Sequence, residues 1–355
     1  MSPTRPTHAR YWVIVFAVAA AVIAYIDRVC ISQAAPEISR ELRLSKVQMG
    51  SIFSAFGLAY AVFEVPFGWL GDRIGARKTL TAANMLWSSF TEVTGWMWGP
   101  VSMWTARFLF GAGQAGCFPN IARMFGTWLP EHERVRAFGI MWTFARWGGA
   151  FTPPLVGLVL KFMSWRGAFV LFGSVGLLWA MVFYTWYRDD PRERKEVNAF
   201  ELRILEETRE FAPSHGRVPW LRFASSPRVW LLWAQYFSIT FPWYFYITWL
   251  PTYLREARHL SAATSAGYAA FPLLFGGFGT LFSGFLAARV ATWTGGVAAS
   301  RRAIGVFGCL GASLLLIFSI NLTGVFPAML AMGLASFCND LPVPGAWGGL
   351  HGFGS

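Results

Sequence analysis

The sequence predicts an all-α membrane protein of many spans, and three observations carry that prediction. Hydrophobic residues make up 55% of the 355 and charged residues only 14%, beyond the apolar share of about 45–50% found in soluble domains. The apolar residues gather in runs near the length of about 20 that crosses a bilayer as a helix. Thirty Lys and Arg against 18 Asp and Glu leave a formal charge of +12, yet nearly all the basic residues sit in short clusters between those runs. Clusters of that kind orient helices in a bilayer, whereas a nucleic-acid groove gathers its charge on one face. Disordered, collagenous and ordinary cytosolic chains are excluded, and no nucleic-acid partner is expected.

Six spans are read at 11–30, 47–67, 79–97, 101–128, 137–160 and 167–187, and four more at 229–250, 263–287, 303–322 and 324–341. The first holds Asp27 and Arg28 and has no small-residue cleavage site, so it is an uncleaved helix and not a secretory leader. The loops on the N-terminal side of the bilayer carry 19 Lys and Arg, and the opposite loops carry seven. Positive-inside bias therefore predicts a cytoplasmic N-terminus and a multi-pass protein of the cell inner membrane. Trp12, Trp96, Trp98, Trp104, Trp128, Trp165, Trp186, Trp230 and Trp249 fall near span ends, at headgroup level.

The stretch 188–228 is the one sizeable polar segment. It divides the chain into a six-helix bundle at 1–187, a cytoplasmic linker at 188–228 and a four-helix part at 229–355. Within the linker Val197, Phe200, Ile204 and Leu205 recur at helical spacing among Glu193, Glu196, Glu201, Arg203, Glu206 and Glu207, which predicts an amphipathic or solvated surface helix. A faint repeat relates Gly68-Trp-Leu-Gly-Asp72-Arg73 after the second span to Gly284-Phe-Leu-Ala-Ala288-Arg289 after the eighth, as in transporters built from two related halves.

The loop from Gly68 to Lys78 has the form GxxxDxxGxRK. Its glycines permit a tight turn, and Asp72 among Arg73, Arg77 and Lys78 can lock or release a neighbouring helix through charge-assisted bonds. Here the sequence resembles the major facilitator superfamily, whose signature loop between the second and third helices has this form. The resemblance implies two six-helix bundles around a central site. Further runs resemble its anion:cation symporter branch, which includes sugar-acid, sialin and vesicular glutamate transporters. These runs are Tyr25-Ile26-Asp27-Arg28, Gln48-Met49-Gly50, Trp87-Ser88, Arg107 through Gly113, Gly116 through Asn120, Arg146 through Ala150 with Pro153-Pro154, Val197-Asn198, Thr248 through Pro251, and Asn339-Asp340-Leu341.

The residues make a case without the family. A charge at mid-span costs about 2.5–3.5 kcal/mol, so Asp27, Arg28, Arg107 and Arg146 must face a polar interior or pair with one another. Arg28 and Arg107 present planar, permanently charged forks suited to a carboxylate; the alternative is internal pairing with Asp27 and Glu92. The resemblance assigns the substrate anion to Arg28 and Arg107, and Tyr25 can donate its hydroxyl to the same ligand. Arg146, in a Gly- and Pro-rich span, is read as either a gating partner or a ligand contact. Gln235, Tyr236, Tyr244 and Tyr246 offer hydrogen bonds along the seventh span.

Asp27 is the acid placed deepest in the first span, the expected site of proton coupling through its linkage to an anion at Arg28 and Arg107. The family usually has a second carboxylate seven residues after the fourth-helix Arg; here Gln114 stands there. Gln hydrogen-bonds to the site like a protonated Glu but cannot titrate, which predicts either fewer coupled protons or one conformation favoured by a permanently neutral group. Glu64, beside Pro66 and the signature loop, belongs with Asp72, Arg73 and Arg77 in a cytoplasmic gate.

No enzyme, cofactor or metal is expected. The five His sit in predicted loops or tails, no phosphate loop or HExxH occurs, and the four Cys form no CxxC pair. The expected function is secondary active transport of a small organic anion, such as a sugar acid, with protons as co-substrate and a monomer as the working unit. An uncoupled facilitator or exchanger is the alternative that Gln114 favours. The resemblance calls for twelve helices where ten are read, and the ending at 348–355 departs from the family pattern, so a truncated, non-transporting remnant or a membrane sensor is the other alternative.

Overall fold

The computed structural model describes residues 6–206 and 225–343, and among them every regular element is a helix. Residues 207–224 of the linker and the ending at 344–355 lie outside the described residues. Thirteen α-helices follow in chain order: α1 (Trp12–Glu41), α2 (Lys46–Ile74), α3 (Ala76–Thr94), α4 (Pro100–Gln114), α5 (Cys117–Trp128), α6 (Glu131–Phe162), α7 (Trp165–Trp186), α8 (Ala199–Glu206), α9 (Pro227–Thr248), α10 (Leu250–Glu256), α11 (Ala262–Thr294), α12 (Val297–Ile320) and α13 (Val325–Asp340). Two compact units emerge, Met1–Gly148 with Leu155–Phe211, and Gly149–Pro154 with Ala212–Ser355.

Helix ends follow local chemistry. Ser45 caps α2 in a reciprocal capping box, taking the Gln48 N–H at 3.2 Å while the Gln48 side chain takes the Ser45 N–H at 2.8 Å. Ser164 caps α7 and Ser261 caps α11 in the same N-terminal fashion. The first residue before α3 is Gly75, which has no side chain to cap with and sits at φ 90°. Its cap comes from far along the chain: Asp189 Oδ1 accepts the Arg77 N–H at 3.1 Å, and a Cβ on Gly75 would lie 2.2 Å from the other Asp189 oxygen. Glycine is required there twice, by conformation and by space.

Two expected spans are divided. The span read at 101–128 breaks at Ala115 and Gly116 into α4 and α5, where a Cβ on Gly116 would meet Ala83 at 2.7 Å. The span read at 229–250 ends one residue before α10, whose first turn carries Pro251. Conversely, Pro153 and Pro154 leave α6 as one helix. Among the described residues, five helices are long and apolar enough to cross a membrane by length and composition. Helix α3 is not among them because it holds Arg77, Lys78 and Glu92 beside the polar Thr79, Asn84, Ser88, Thr91 and Thr94, five positions that are buried.

The first unit is held by close helix approaches. A Cβ on Gly111 of α4 would lie 2.5 Å from the Phe56 carbonyl of α2, and Cβ atoms on Gly173 and Gly176 of α7 would strike Glu92 and Ser88 of α3. Small residues at such crossings give membrane helices their dispersion contact. In the second unit Tyr246, Leu250, Leu254, Ala269, Ala328, Met329 and Met332 form a buried cluster.

Several aromatic expectations change. Trp12, Trp96, Trp98 and Trp230 are exposed, as headgroup anchors are, but Trp128 and Trp165 are buried. Each has its indole N–H committed, Trp128 to the Arg188 carbonyl at 2.9 Å and Trp165 to Glu41 at 2.6 Å. Both side chains bolt a chain connection to the bundle, a role that position near a span end does not reveal. The linker helix forms as α8, with Leu205 and the preceding Val197 buried and Arg203 exposed, as an amphipathic helix has them, but Glu201 lies inside and Phe200 outside.

Candidate functional site: a buried charge centre in the first unit

Helices α1, α2 and α4 bring the predicted charges together. Asp27 of α1 is fully buried, Arg107 of α4 is 2% exposed and Gln114 is fully buried. Arg28 donates Nε to Gln114 Oε1 at 2.8 Å, and Gln114 Nε2 donates to the Ala24 carbonyl at 2.9 Å. Both ends of the amide are therefore used, one against a cation and one against a backbone acceptor. A carboxylic acid fills that place with the same two bonds only when protonated.

Three rings surround Arg28. Its guanidinium carbon lies 4.7 Å from the Phe56 centroid, 5.2 Å from Tyr60 and 5.4 Å from Tyr25. Arg107 lies 3.8 Å from Phe110 and 5.9 Å from the same Phe56 ring. Ring faces attract guanidinium and leave its N–H edge directed elsewhere. Phe56, Tyr60 and Glu64 recur four apart on α2, and Glu64 lies within electrostatic range of Arg28. That stripe was not singled out from the sequence, although its spacing is a helical face.

Asp27 does not neutralise Arg28 through a salt bridge. Neither of its oxygens has a hydrogen-bond partner, although Arg107 and the indole of Trp87 lie in interaction range. Glu92, offered above as an internal partner for the arginines, instead accepts Ser174 Oγ at 2.7 Å. Tyr25 is buried with its ring at Arg28, and Arg146 is buried in α6 at 8% exposure. Tyr246 is a core residue whose hydroxyl points to the Met332 carbonyl at 3.5 Å.

The signature loop is anchored outside itself. Asp72 pairs with Arg123 of α5 at 2.7 Å, not with its loop neighbours. Arg73 covers Trp69 at 4.2 Å, while Arg77 donates to the Tyr184 carbonyl from Nε and Nη2 at 3.0 and 2.8 Å. Asn120 of α5 donates to the Phe67 and Gly116 carbonyls. Arg123, Asn120 and Asp189 thus complete the loop's anchorage, and no local spacing links them to it.

A set of apolar helices enclosing a buried, partly unpaired charge centre defines a multi-pass membrane protein of the transporter kind. The family model described as Major Facilitator Superfamily matches residues 17–348, and the chain belongs to that superfamily. It is 35% identical over 330 residues to the probable sulfoacetate transporter SauU of Cupriavidus necator, covering 92% of this chain and 76% of that protein. It is 33% identical to a hexuronate transporter of Bacillus subtilis, covering 86% and 71%. It is 30% identical to the probable galactarate/D-glucarate transporter GarP of Escherichia coli K12, covering 93% and 78%. A bacterial homologue of the human lysosomal transporter Spinster, in an inward-facing and unoccupied conformation, shares the fold with TM-score 0.72 and 21% identity, covering 98% of this chain and 75% of that one.

Proposed function

We propose that the chain carries a small organic anion across the cell inner membrane, with Arg28 and Arg107 as the anion-binding cations, Tyr25 as a hydroxyl donor and Arg146 as a second-tier contact. The observation that supports this most is the placement of two guanidinium groups, half-buried Arg28 and buried Arg107, at one Phe56 ring. Relatives named for sulfoacetate, hexuronate and galactarate or D-glucarate point to the same chemistry: one or two anionic groups on a short polar skeleton. Asp27 is the proton-coupling group, binding a proton as the anion binds and releasing it on the other side.

The N-terminus is cytoplasmic, by the distribution of Lys and Arg, and the functional division is 1–187, 188–228 and 229–355 with a monomer as the working unit. Asp72, Arg73, Arg77 and Glu64 serve the cytoplasmic gate, with the Asp72–Arg123 pair as its latch. A second reading, exchange without proton coupling, is favoured by one observation: Gln114 makes both bonds of a protonated Glu while unable to titrate. Uptake of labelled sulfoacetate, D-glucarate and a hexuronate into proteoliposomes, with and without an inside-alkaline pH gradient, separates the two. Stimulation by the gradient that disappears in Asp27→Asn supports symport; uptake indifferent to the gradient supports exchange. Uptake unchanged in Arg28→Ala and Arg107→Ala would sink the site assignment.

A further inference from the structure

Arg28 and Arg107 each have a carboxylate within electrostatic reach, and the two carboxylates lie on different helices. Arg107 of α4 acts on Asp27 of α1, while Arg28 of α1 acts on Glu64 of α2. Glu64 follows Tyr60 by one turn, about 40° around α2 and about 6 Å further along it, and the Tyr60 ring lies 5.2 Å from the Arg28 guanidinium carbon. Glu64 is half-buried, and among the described residues it makes no hydrogen bond or ion pair of its own. The helices packed on α2 offer few other ionisable groups. Helix α4 carries Arg107 alone, α5 carries Cys117 and Arg123, and Arg123 is held by Asp72. Helix α3 has none between Lys78 and Glu92, and the turns of α1 about Arg28 add Tyr25, Asp27 and Cys30.

We propose that Glu64 is the internal counter-ion of Arg28, and that a substrate anion arriving at Arg28 takes its place and leaves Glu64 to accept a proton. A carboxylate is kept ionised by a neighbouring cation, and a second anion brought to that cation repels it. Half-buried Glu64 then has little water to solvate its charge, so a proton from solution neutralises it. Linkage makes the effect reciprocal: a proton on Glu64 strengthens anion binding by the factor with which the anion strengthens proton binding. Anion binding through this pair is therefore tighter at low pH and weakens as pH rises and Glu64 ionises. Gln114 holds the same guanidinium through Nε, but an amide does not titrate. Glu64 supplies from α2 the proton chemistry that position 114 of α4 lacks, in addition to its place beside the gate. The inference rests on Arg28 being an anion-binding cation.

The test counts the protons taken up when the purified full chain binds sulfoacetate, D-glucarate or D-glucuronate, by titration calorimetry in buffers of different ionisation enthalpy. Glu64→Gln is expected to take up fewer protons per anion than the unmodified chain. It is also expected to bind the anion at least about fivefold tighter at mildly alkaline pH, the low end of ordinary coupling between sites, because the competing charge is gone. Its affinity should change less with pH. Glu64→Asp, which keeps a titrating group, should retain the proton uptake, a rescue that a merely structural role would not produce. Glu64→Met, neutral and of similar length, carries the test if Glu64→Gln fails to fold. Equal proton uptake and parallel pH profiles of affinity in the unmodified chain and the neutral variant would overturn the inference while leaving the anion site standing. Weaker anion binding by the neutral variant at every pH would overturn it too, since Glu64 would then be helping the anion and not competing with it. If the unmodified chain bound none of the three anions, the anion reading of Arg28 would fall, and this inference with it.

Discussion

Arg28 donates Nε to Gln114 Oε1 at 2.8 Å, and the same amide spends its nitrogen on the Ala24 carbonyl. The first and fourth helices are thereby joined by a neutral group at a place where a carboxylate would carry charge. A hydrogen bond to a charged partner contributes about 1.5–3 kcal/mol, so Gln114 is a substantial part of what orients Arg28.

Replacing Gln114 by Glu keeps the size and changes the proton chemistry. At low pH the protonated acid reproduces both bonds. As pH rises the carboxylate faces the Ala24 carbonyl and pairs with Arg28, competing with the substrate anion. Anion uptake by Gln114→Glu should therefore fall with rising pH more steeply than uptake by the unmodified chain, with more protons moved per anion. Parallel pH profiles and equal stoichiometry in proteoliposomes would show that position 114 takes no part in coupling. Gln114→Leu, which loses the bond to Arg28 outright, is expected to weaken anion binding about tenfold at all pH values, as a bond of this class implies.

Arg28 and Arg107 each lie on ring faces, with Arg107 only 3.8 Å from Phe110. A lysine keeps the charge but loses the planar fork and the stacking. Arg107→Lys and Arg28→Lys are each expected to cut anion affinity by at least tenfold while the purified protein keeps its size-exclusion profile. Titration by thermal shift with the best-bound anion measures this. Retention of near-normal affinity in Arg107→Lys would mean that charge alone is used there.

The Asp72–Arg123 pair has side chains 45% and 35% exposed, and a pair so wet contributes no more than about 1 kcal/mol. Asp72→Asn should consequently leave Tm within a few degrees. Transport rate is the sensitive quantity, because a weak bond suffices to bias two conformations of similar energy. The charge-reversed double variant, Asp72→Arg with Arg123→Asp, is expected to regain at least half the rate lost in either single variant. Failure of the swap, with both singles impaired, would assign Asp72 to a partner other than Arg123.

Span positions, the signature loop and the charges of α1 and α4 were readable because each is a local pattern: an apolar run, a fixed spacing, a charge inside a run. The resemblance implied a common centre for Arg28 and Arg107, and the structure brings both to a single ring. What was not readable depends on contacts between distant parts of the chain. Asp189 caps α3 from 112 residues away, and Trp128 holds the Arg188 carbonyl across 60. The break between α4 and α5 was likewise hidden, since a continuous apolar run carries no mark of where Gly116 must yield to Ala83. Glu201 was assigned to a solvated face because charge on a short helix among other charges gives no sign of a partner near the N-terminus.

That partner makes Glu201 the subject of the last prediction. Its side chain is fully buried, and it accepts the Ala9 and Arg10 N–H groups at 3.3 and 3.1 Å, Arg10 Nη1 at 3.3 Å and the Thr7 hydroxyl. Arg10, itself 5% exposed, also holds Glu133 at the start of α6 through Nε at 3.1 Å and Nη2 at 3.0 Å. Three separate segments therefore meet on one buried ionic knot; removing a buried partner outright costs about 3–5 kcal/mol, and Glu201→Ala costs less than that because Arg10 keeps Glu133. Glu201→Ala should lower the unfolding temperature of the purified protein clearly, and Glu201→Gln, which keeps one acceptor oxygen, should lower it less. Arg10→Ala removes the same interaction from the other side, so the double variant should be less destabilised than the sum of the two singles. Phe200→Ser, at the 42% exposed neighbour, serves as the control and should leave the temperature unchanged. Additive losses, or a Glu201→Ala protein as stable as the unmodified chain, would show that α8 and the N-terminal segment are held by something other than this knot.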